Sequence, residues 1–400
     1  MPPQLVLISH VLHPAVTQGF TPAAIELGYE ITIVTDHGLA YRKHYASHPS
    51  HPSPVRILEC DVFNPIAIID ALTTAAIVPQ AVFSNSDHLQ SSTALVANYF
   101  SLPAKSWQRC YQAKNKAAMR LQLQNLSLSS VESVVLQITD PVPDDLSYPV
   151  VAKPREGVGS MNVALCENRR ALESIRRDYH RSSPTVPLLL ESYMPGELFT
   201  LETLSDGREI IAVGGFDVEL SPPPHFVELS ATWNGENSVR YRDEALAQVR
   251  KFGVGLGVCH SEFIVTSTGP KLVEINCRSV GDSREFLLEE LLPGGWFKPI
   301  LQLHTGAPLT PVELGKSQAM IRYLVATSEG QLTRHSSECH WEAQGVKYHY
   351  RPLKQQGDAI ELTQSNKDYL GVLVAITPSE LPLAELVELQ LSKLEWEVVA

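Results

Sequence analysis

The sequence predicts a chain of mixed class. An N-terminal α/β domain on a doubly wound parallel sheet is followed by antiparallel α+β lobes and a small C-terminal subdomain. Three observations predict this. Short apolar runs alternate with helix-like stretches as far as Phe100. Hairpin signals then replace crossovers between Tyr148 and Asn276. After Pro308 the texture changes again, to short strands and turns.

Leu5–Ile8 has the length and apolar content of a buried parallel strand. Pro14–Leu27 suits a helix that Gly28 closes. Ile31–Val34, Val55–Leu58 and Ala81–Phe83 read as further strands, with a helix over Pro65–Leu72. Asp87 is expected to cap a helix running through Phe100. No GxGxxG follows the first strand, so no dinucleotide site is expected there. Ser101–Asp145 is mainly polar, first helical and then looped.

The second unit has apolar runs at Tyr148–Lys153, Asn162–Leu165, Leu188–Glu191, Phe199–Leu204 and Glu209–Val213, with Asp206-Gly207 turning the last pair. Ser221-Pro222-Pro223-Pro224 is a loop, and Asp243–Phe252 reads as a helix. Cys259–Thr266 and Lys271–Asn276 flank a hairpin at Ser267-Thr268-Gly269. The boundaries fall at 1–103, 104–305 and 306–400. No 20–50-residue repeat is present.

Composition narrows the function. With 400 residues, 44% hydrophobic and 19% charged, the chain can build two or three cores and is not extensively disordered. A net charge of −12 argues against general nucleic-acid binding. No run approaches the roughly 20 apolar residues of a membrane span. The opening residues lack a basic region, so neither a signal peptide nor a membrane role is expected, and the expected location is cytoplasmic. The six cysteines include no CxxC and read as reduced core thiols. Cys259 and Cys277 are equidistant from Thr268 and are expected to face each other, as buried thiols before a disulfide or metal pair. The 14 histidines contain no HExxH or HxH, which argues against zinc.

The chemistry concentrates in Glu262 and in Glu274-Ile275-Asn276-Cys277-Arg278. Alternation along a strand puts Glu274, Asn276 and Arg278 on one face and Val273, Ile275 and Cys277 on the other. A hairpin turning about Thr268 sets Glu262 opposite Glu274, with Cβ atoms about 5 Å apart. Two carboxylates so close repel unless a cation lies between them, and Mg²⁺ takes such oxygen ligands with nucleotide phosphates. An exposed face of solvated charges is the competing reading. Arg278 supplies a fixed charge for a carboxylate or for charge that builds as phosphate moves.

Lys153 ends a strand before Arg155-Glu156-Gly157-Val158-Gly159-Ser160, where small residues let backbone N–H groups approach phosphate. Such loops are more often plain turns, and this one is not a P-loop. Leu188–Glu197 leaves an apolar strand for a polar turn. It could offer backbone groups to an adenine edge, or be a strand end. Arg284, after Gly281-Asp282-Ser283, could hold a substrate anion or form a surface ion pair.

The order of these pieces resembles the ATP-grasp superfamily, over roughly Lys116 to Leu292. The matching elements are Asn115-Lys116, Lys153 with Glu156–Ser160, Glu191–Glu197, and Glu262 with Glu274-Ile275-Asn276-Cys277-Arg278. The resemblance implies ATP and Mg²⁺ as cofactors, with Mn²⁺ as a substitute. It implies that Lys116 and Lys153 bind phosphate, that Glu156, Gly157, Gly159 and Ser160 form the loop over the triphosphate, and that Glu191, Tyr193 and Met194 form the adenine hinge. Glu262, Glu274 and Asn276 look like the metal ligands, and Arg278 like the catalytic arginine at the reacting carboxylate. Lys114 competes with Lys116. The family often has G-x-E after the hinge, but here Glu197 follows Gly196 directly, so the ribose contact falls to Glu197 or is lost.

The texture is similar to that of stand-alone amino-acid and peptide ligases of secondary metabolism, including siderophore pathways. The implied reaction joins a small carboxylic acid to an amine through an acyl phosphate, releasing ADP and phosphate. A homodimer is left open. Purine-pathway ligation, bicarbonate activation and a non-catalytic nucleotide-binding protein are the alternatives.

Overall fold

The computed structural model describes residues 2–400 apart from 129, 130, 138, 183, 184 and 314. Residues 129, 130 and 138, in the stretch expected to be looped, and Leu314 lie outside the described residues.

The first sheet is parallel, in the order Arg56–Glu59, Glu30–Thr35, Gln4–Ser9, Ala81–Phe83. Apart from the half-exposed edge strand Arg56–Glu59, its apolar runs are buried on both faces. Leu5 and Leu7 join one core with Phe20, Trp296 and Phe297, while Val6 and Ile8 join another with Ile68, Leu72 and Val96. Each such side chain contributes about 1.5–3 kcal/mol by leaving water. The first helical segment opens as a π-helix over Ala15–Phe20 and continues as an α-helix over Thr21–Glu26, with Gly28 at φ +85° after its end. The helix Gly38–Ser47 is polar enough that periodicity does not reveal it; Gly38 and Tyr41 are its buried residues.

Asp87 does not cap a long helix. It opens a short 3-10 turn, Asp87–Leu89, and the α-helix Gln90–Tyr99 follows. Its carboxylate is taken by cations instead: Lys114 Nζ lies 2.5 Å away and Arg278 Nε 3.7 Å away.

Among the described residues three antiparallel sheets follow, two of which frame the site; the third joins Ala359–Ile360, Gly330–His335 and Trp396–Val399. The smaller of the framing two runs Ser133–Leu136, Leu188–Ser192, Val150–Pro154, Ala164–Cys166, and the helix Arg169–Ser182 packs Leu172 and Ile175 beneath it. The larger begins with the hairpin Gly269–Asn276 and Gly257–Thr266, then passes through Leu198–Ser205, Phe216–Leu220 and Glu228–Trp233. It continues past Pro308: Gln318–Val325 pairs with Glu228–Trp233, followed by Tyr369–Thr377, Val346–Pro352 and Cys339–Ala343. The C-terminal part therefore shares its main sheet with the central part, which fixes Asn366 and Lys367 beside the cleft described below. Among the described residues, no helix is long and apolar enough to cross a membrane.

Cys110, Cys259 and Cys277 share one core under the large sheet, and the described cysteines are free thiols. Burial pushes the Cys259 thiol well up, so it stays protonated. In the native protein a thiol reagent should label exposed Cys339 quickly and half-buried Cys60 slowly. Cys110, Cys166, Cys259 and Cys277 should react only after denaturation. Rapid native labelling of Cys259 or Cys277, read by mass spectrometry, would contradict this core.

Candidate active site

A cleft of about 550 Å³ opens where the C-terminal ends of the parallel strands meet the two antiparallel sheets. The hairpin Gly257–Thr266/Gly269–Asn276 forms its floor. The turn does not centre on Thr268: Thr266 pairs with Gly269, leaving Ser267-Thr268 as a two-residue loop. A bulge after Glu262 shifts the register, so Phe263 pairs with Leu272 but Glu262 pairs with Glu274. The expected carboxylate pair is therefore present, through a turn and a bulge instead of a symmetric turn. The bulge also corrects the placement of Val273. It lines the cleft beside Glu274, whereas Ile275 and Cys277 pack in the core on the other side.

The two carboxylates are compensated individually. Lys116 Nζ lies 3.1 Å from Glu274 Oε1 and also donates to the Gly157 carbonyl at 3.1 Å. His260 Nε2 lies 3.4 Å from Glu262, and its Nδ1 is 2.6 Å from buried Glu202. Burial works against a charged imidazole, but the charge and hydrogen bond of Glu202 raise His260 to about 9. Burial likewise opposes ionisation of Glu262, and the His260 hydrogen bond outweighs it, holding Glu262 below the usual carboxylate range. Asn276 pairs with His260 across the ladder and is buried, with its Nδ2 lacking a hydrogen-bond partner. Two opposed carboxylates with a neighbouring amide are a hard-oxygen donor set that fits a Mg²⁺ ion.

Lys116 owes its position to its helix start. The Asn115 side chain accepts the Ala118 N–H at 3.1 Å and caps Lys116–Asn125, while Lys116 N donates to the Arg155 carbonyl at 3.0 Å. Lys114, two residues earlier, turns to Asp87. Lys153 leaves the strand Val150–Pro154 with Nζ 2.6 Å from Glu191 Oε2. Arg120, one helical turn after Lys116, binds the same carboxylate through Nε at 2.6 Å and Nη2 at 2.9 Å.

Gly157, Gly159 and Ser160 line the cleft, and Gly159 and Ser160 both adopt left-handed backbone at φ +59° and +56°. The Gly159 carbonyl accepts the Asn366 N–H at 3.1 Å, tying this loop to the C-terminal part. Tyr193 and Met194 also line the cleft. Glu156, Glu197 and Asn276 are not among the lining residues. Glu156 binds Arg155 at 2.9 Å and Asn115 at 3.3 Å, and exposed Glu197 accepts from Asn237 Nδ2 at 2.7 Å. Arg278 lines the cleft opposite Asp87, donating through Nη1 to the Ser279 carbonyl at 2.8 Å. Arg284 is a buried cation, 2.8 Å from Glu228 and also in the cleft wall, not a surface pair.

Several participants escape sequence reasoning. Arg120 carried a signal, the i+4 spacing from Lys116. His260 carried one too, sitting two residues before Glu262 on the same strand face. Glu228, Asn366 and Lys367 carried none, because long-range pairing alone brings them to the cleft.

Burial works against ionised Glu191, but Lys153 and Arg120 outweigh it and hold the carboxyl at about 2. A depressed folded-state pKa contributes stability above the unfolded value and loses it as pH falls. Glu191→Ala should cost roughly 3–5 kcal/mol in urea unfolding at neutral pH, leaving two buried cations uncompensated. The gap should close as pH falls from 4.5 toward about 2. A pH-independent gap would contradict the charged triad.

No protein-family model matches the sequence. An uncharacterized protein, y4rH, of Sinorhizobium fredii is 26% identical over 338 residues, covering 79% of this chain and 68% of that protein. Dapdiamide A synthase of Enterobacter agglomerans is 24% identical over 292 residues, covering 66% of each. The chain thus spans about two thirds of the length of these curated relatives. Among solved structures, the L-amino acid ligase of Bacillus licheniformis matches at TM-score 0.79 and 17% identity over the whole of both chains. Phosphoribosylglycinamide synthetase of Anaerococcus prevotii matches at 0.72 and 12%, over 99% of this chain and 100% of that one. The biotin carboxylase domain of Hydrogenobacter thermophilus 2-oxoglutarate carboxylase, complexed with MgADP and bicarbonate, matches at 0.70 and 15%, over 100% and 92%. The chain therefore has the ATP-grasp fold, and it resembles amino-acid ligases in shape along its full length.

Proposed function

We propose that this protein is an ATP-dependent carboxylate–amine ligase that forms an amide through an acyl phosphate and releases ADP and phosphate. The observation that carries the reading is the pairing of Glu262 with Glu274 across the hairpin, in one cleft with Lys116, Lys153 and Arg278. Likeness to an L-amino acid ligase and to Dapdiamide A synthase supports amino acids or their derivatives as substrates, and a biosynthetic role in small peptide-like products.

Under this reading Glu262, Glu274 and Asn276 would hold Mg²⁺, which neutralises charge on the nucleotide phosphates when bound. Lys116 and Lys153 face the triphosphate as point charges, and Gly157–Ser160 covers it with backbone N–H groups. Lys116 then exchanges part of its contact with Glu274 for phosphate. The Glu191–Met194 segment takes the adenine, with Glu191 acting through Lys153. Glu197 reaches a ribose only by giving up Asn237. Arg278 holds the acid's carboxylate for attack on the γ-phosphorus, then holds the acyl phosphate while the amine displaces phosphate. The division at 1–103, 104–305 and 306–400 gives these roles a substrate-facing N-terminal domain, a nucleotide-binding domain and a C-terminal closure.

The first test is ADP release with pairs drawn from the twenty L-amino acids, with products identified by mass spectrometry. Glu274→Gln keeps the shape and removes a ligand charge, so turnover should fall below detection with the melting temperature held within a few degrees. Mg²⁺-dependent ADP formation at the parental rate in Glu274→Gln would sink the assignment.

A further inference from the structure

Amide formation from an ammonium substrate releases a proton, and none of the groups assigned above accepts it. The cleft wall contributed by the N-terminal domain contains a candidate. Ser9 and Thr35 are paired at the C-terminal ends of adjacent parallel strands, so His10 and Asp36 emerge side by side. Thr35 Oγ1 donates to the His10 carbonyl at 3.0 Å and fixes that backbone. His10 Nδ1 lies 2.7 Å from Asp36 Oδ2, and His37 Nδ1 lies 3.1 Å from Asp36 Oδ1. Phe63 packs edge-on against the His10 ring at 4.9 Å and also contacts His88, whose neighbour Asp87 faces Arg278.

We propose that His10, oriented by Asp36, is the base that removes the proton from the incoming amine.

The assignment rests on the amide-ligase reading above. Burial works against ionised Asp36, but hydrogen bonds from His37 and His10 hold it below the usual carboxylate range. An ionised carboxylate only accepts, so Nδ1 of His10 donates and Nε2 keeps the lone pair of the neutral ring. His10 lines the cleft, whereas His37 does not. His13, His88 and His260 line it too; the first two have no hydrogen-bonded carboxylate among the described residues to fix a tautomer or stabilise the imidazolium, and His260, bound to Glu202 through Nδ1, already turns its Nε2 to Glu262 as a cation.

The step balances. His10 Nε2 accepts one proton from R–NH3⁺. The freed lone pair forms the C–N bond at the acyl carbon. The C–O bond to phosphate breaks, and its electron pair leaves on phosphate, which takes the second nitrogen proton. His10 then returns its proton to solvent. Asp36 acts through His10 and is a positioning residue.

Hydroxylamine separates this step from acid activation, because it is uncharged near neutral pH and attacks an acyl phosphate without a base. His10→Ala should form hydroxamate from the acid and ATP at close to the parental rate. Amide formation with the L-amino acid amine found in the screen should fall roughly 100-fold or more at pH 7. Asp36→Asn should show the same split with a smaller loss. The lost rate should recover as rising pH frees the amine. Asp36, His37 and His88 are the titratable groups that face His10, so recovery is read above about pH 8, past the histidine range.

Equal loss of hydroxamate and amide, or no loss of either, would overturn the proposal. So would stoichiometric Zn²⁺ in the purified protein that His10→Ala abolishes. His10, Asp36 and His37 hold their ligand atoms within 4.8 Å of one another, and that result would make them a metal centre. If the unmutated protein forms neither hydroxamate nor amide, the ligase reading itself fails, and the base with it.

Discussion

Everything at the centre of this molecule answers to one constraint, the opposition of Glu262 and Glu274 on adjacent strands. Like charges paired on a half-buried sheet repel, and the low local dielectric strengthens the repulsion. The fold meets this with a cation for each carboxylate, Lys116 for Glu274 and His260 for Glu262. Each cation is itself built in. Lys116 is carried on a helix start capped by Asn115, and His260 is charged because Glu202 lies buried behind it. Under the proposed reading, a nucleotide-bound metal would take over from Lys116 at Glu274 and free it for phosphate.

The same logic of shared charge repeats one strand away. Glu191 binds Arg120 and Lys153 together and lets Lys153 stay at the cleft although burial lowers its affinity for the proton. Arg120 also donates to the Leu272 and Val273 carbonyls, at 3.3 and 2.8 Å, where the bulge distorts the ladder. The helix of Lys116, the strand of Lys153 and the Glu262/Glu274 hairpin are thus fastened by a single guanidinium. Binding geometry in the cleft then depends on buried contacts, which lose few alternatives to thermal motion.

Much of this was legible in the sequence because it follows local periodicity. Strand alternation puts Glu274 on the cleft face, Arg278 reaches the cleft from a bend past the strand's end at Asn276, and apolar runs locate the parallel sheet within a residue or two. The opposition of Glu262 to Glu274 is also legible, but the reasoning behind it differs from the structure. A bulge and an off-centre turn cancel, and neither has a signal beyond Gly269. Val273 is misplaced for that reason. Asp87 reads as a cap because Asp favours helix starts, but two cations 27 and 191 residues away compete for its carboxylate. Polar helices such as Gly38–Ser47 show too little apolar stripe to be seen. The contributions of Glu228, Asn366 and Lys367 depend on the C-terminal strands extending the central sheet, a non-local pairing that no window of sequence contains.

The central claim is that the cleft activates a carboxylate by phosphoryl transfer. It is tested most directly by placing oxygen-18 in the acid's carboxylate and following it by mass spectrometry through one turnover with ATP and the amine. Attack on the γ-phosphorus puts one carboxylate oxygen into the bond that later breaks, so labelled phosphate beside unlabelled ADP is predicted. Label in AMP, with pyrophosphate as co-product, would mean an acyl adenylate and contradict the account.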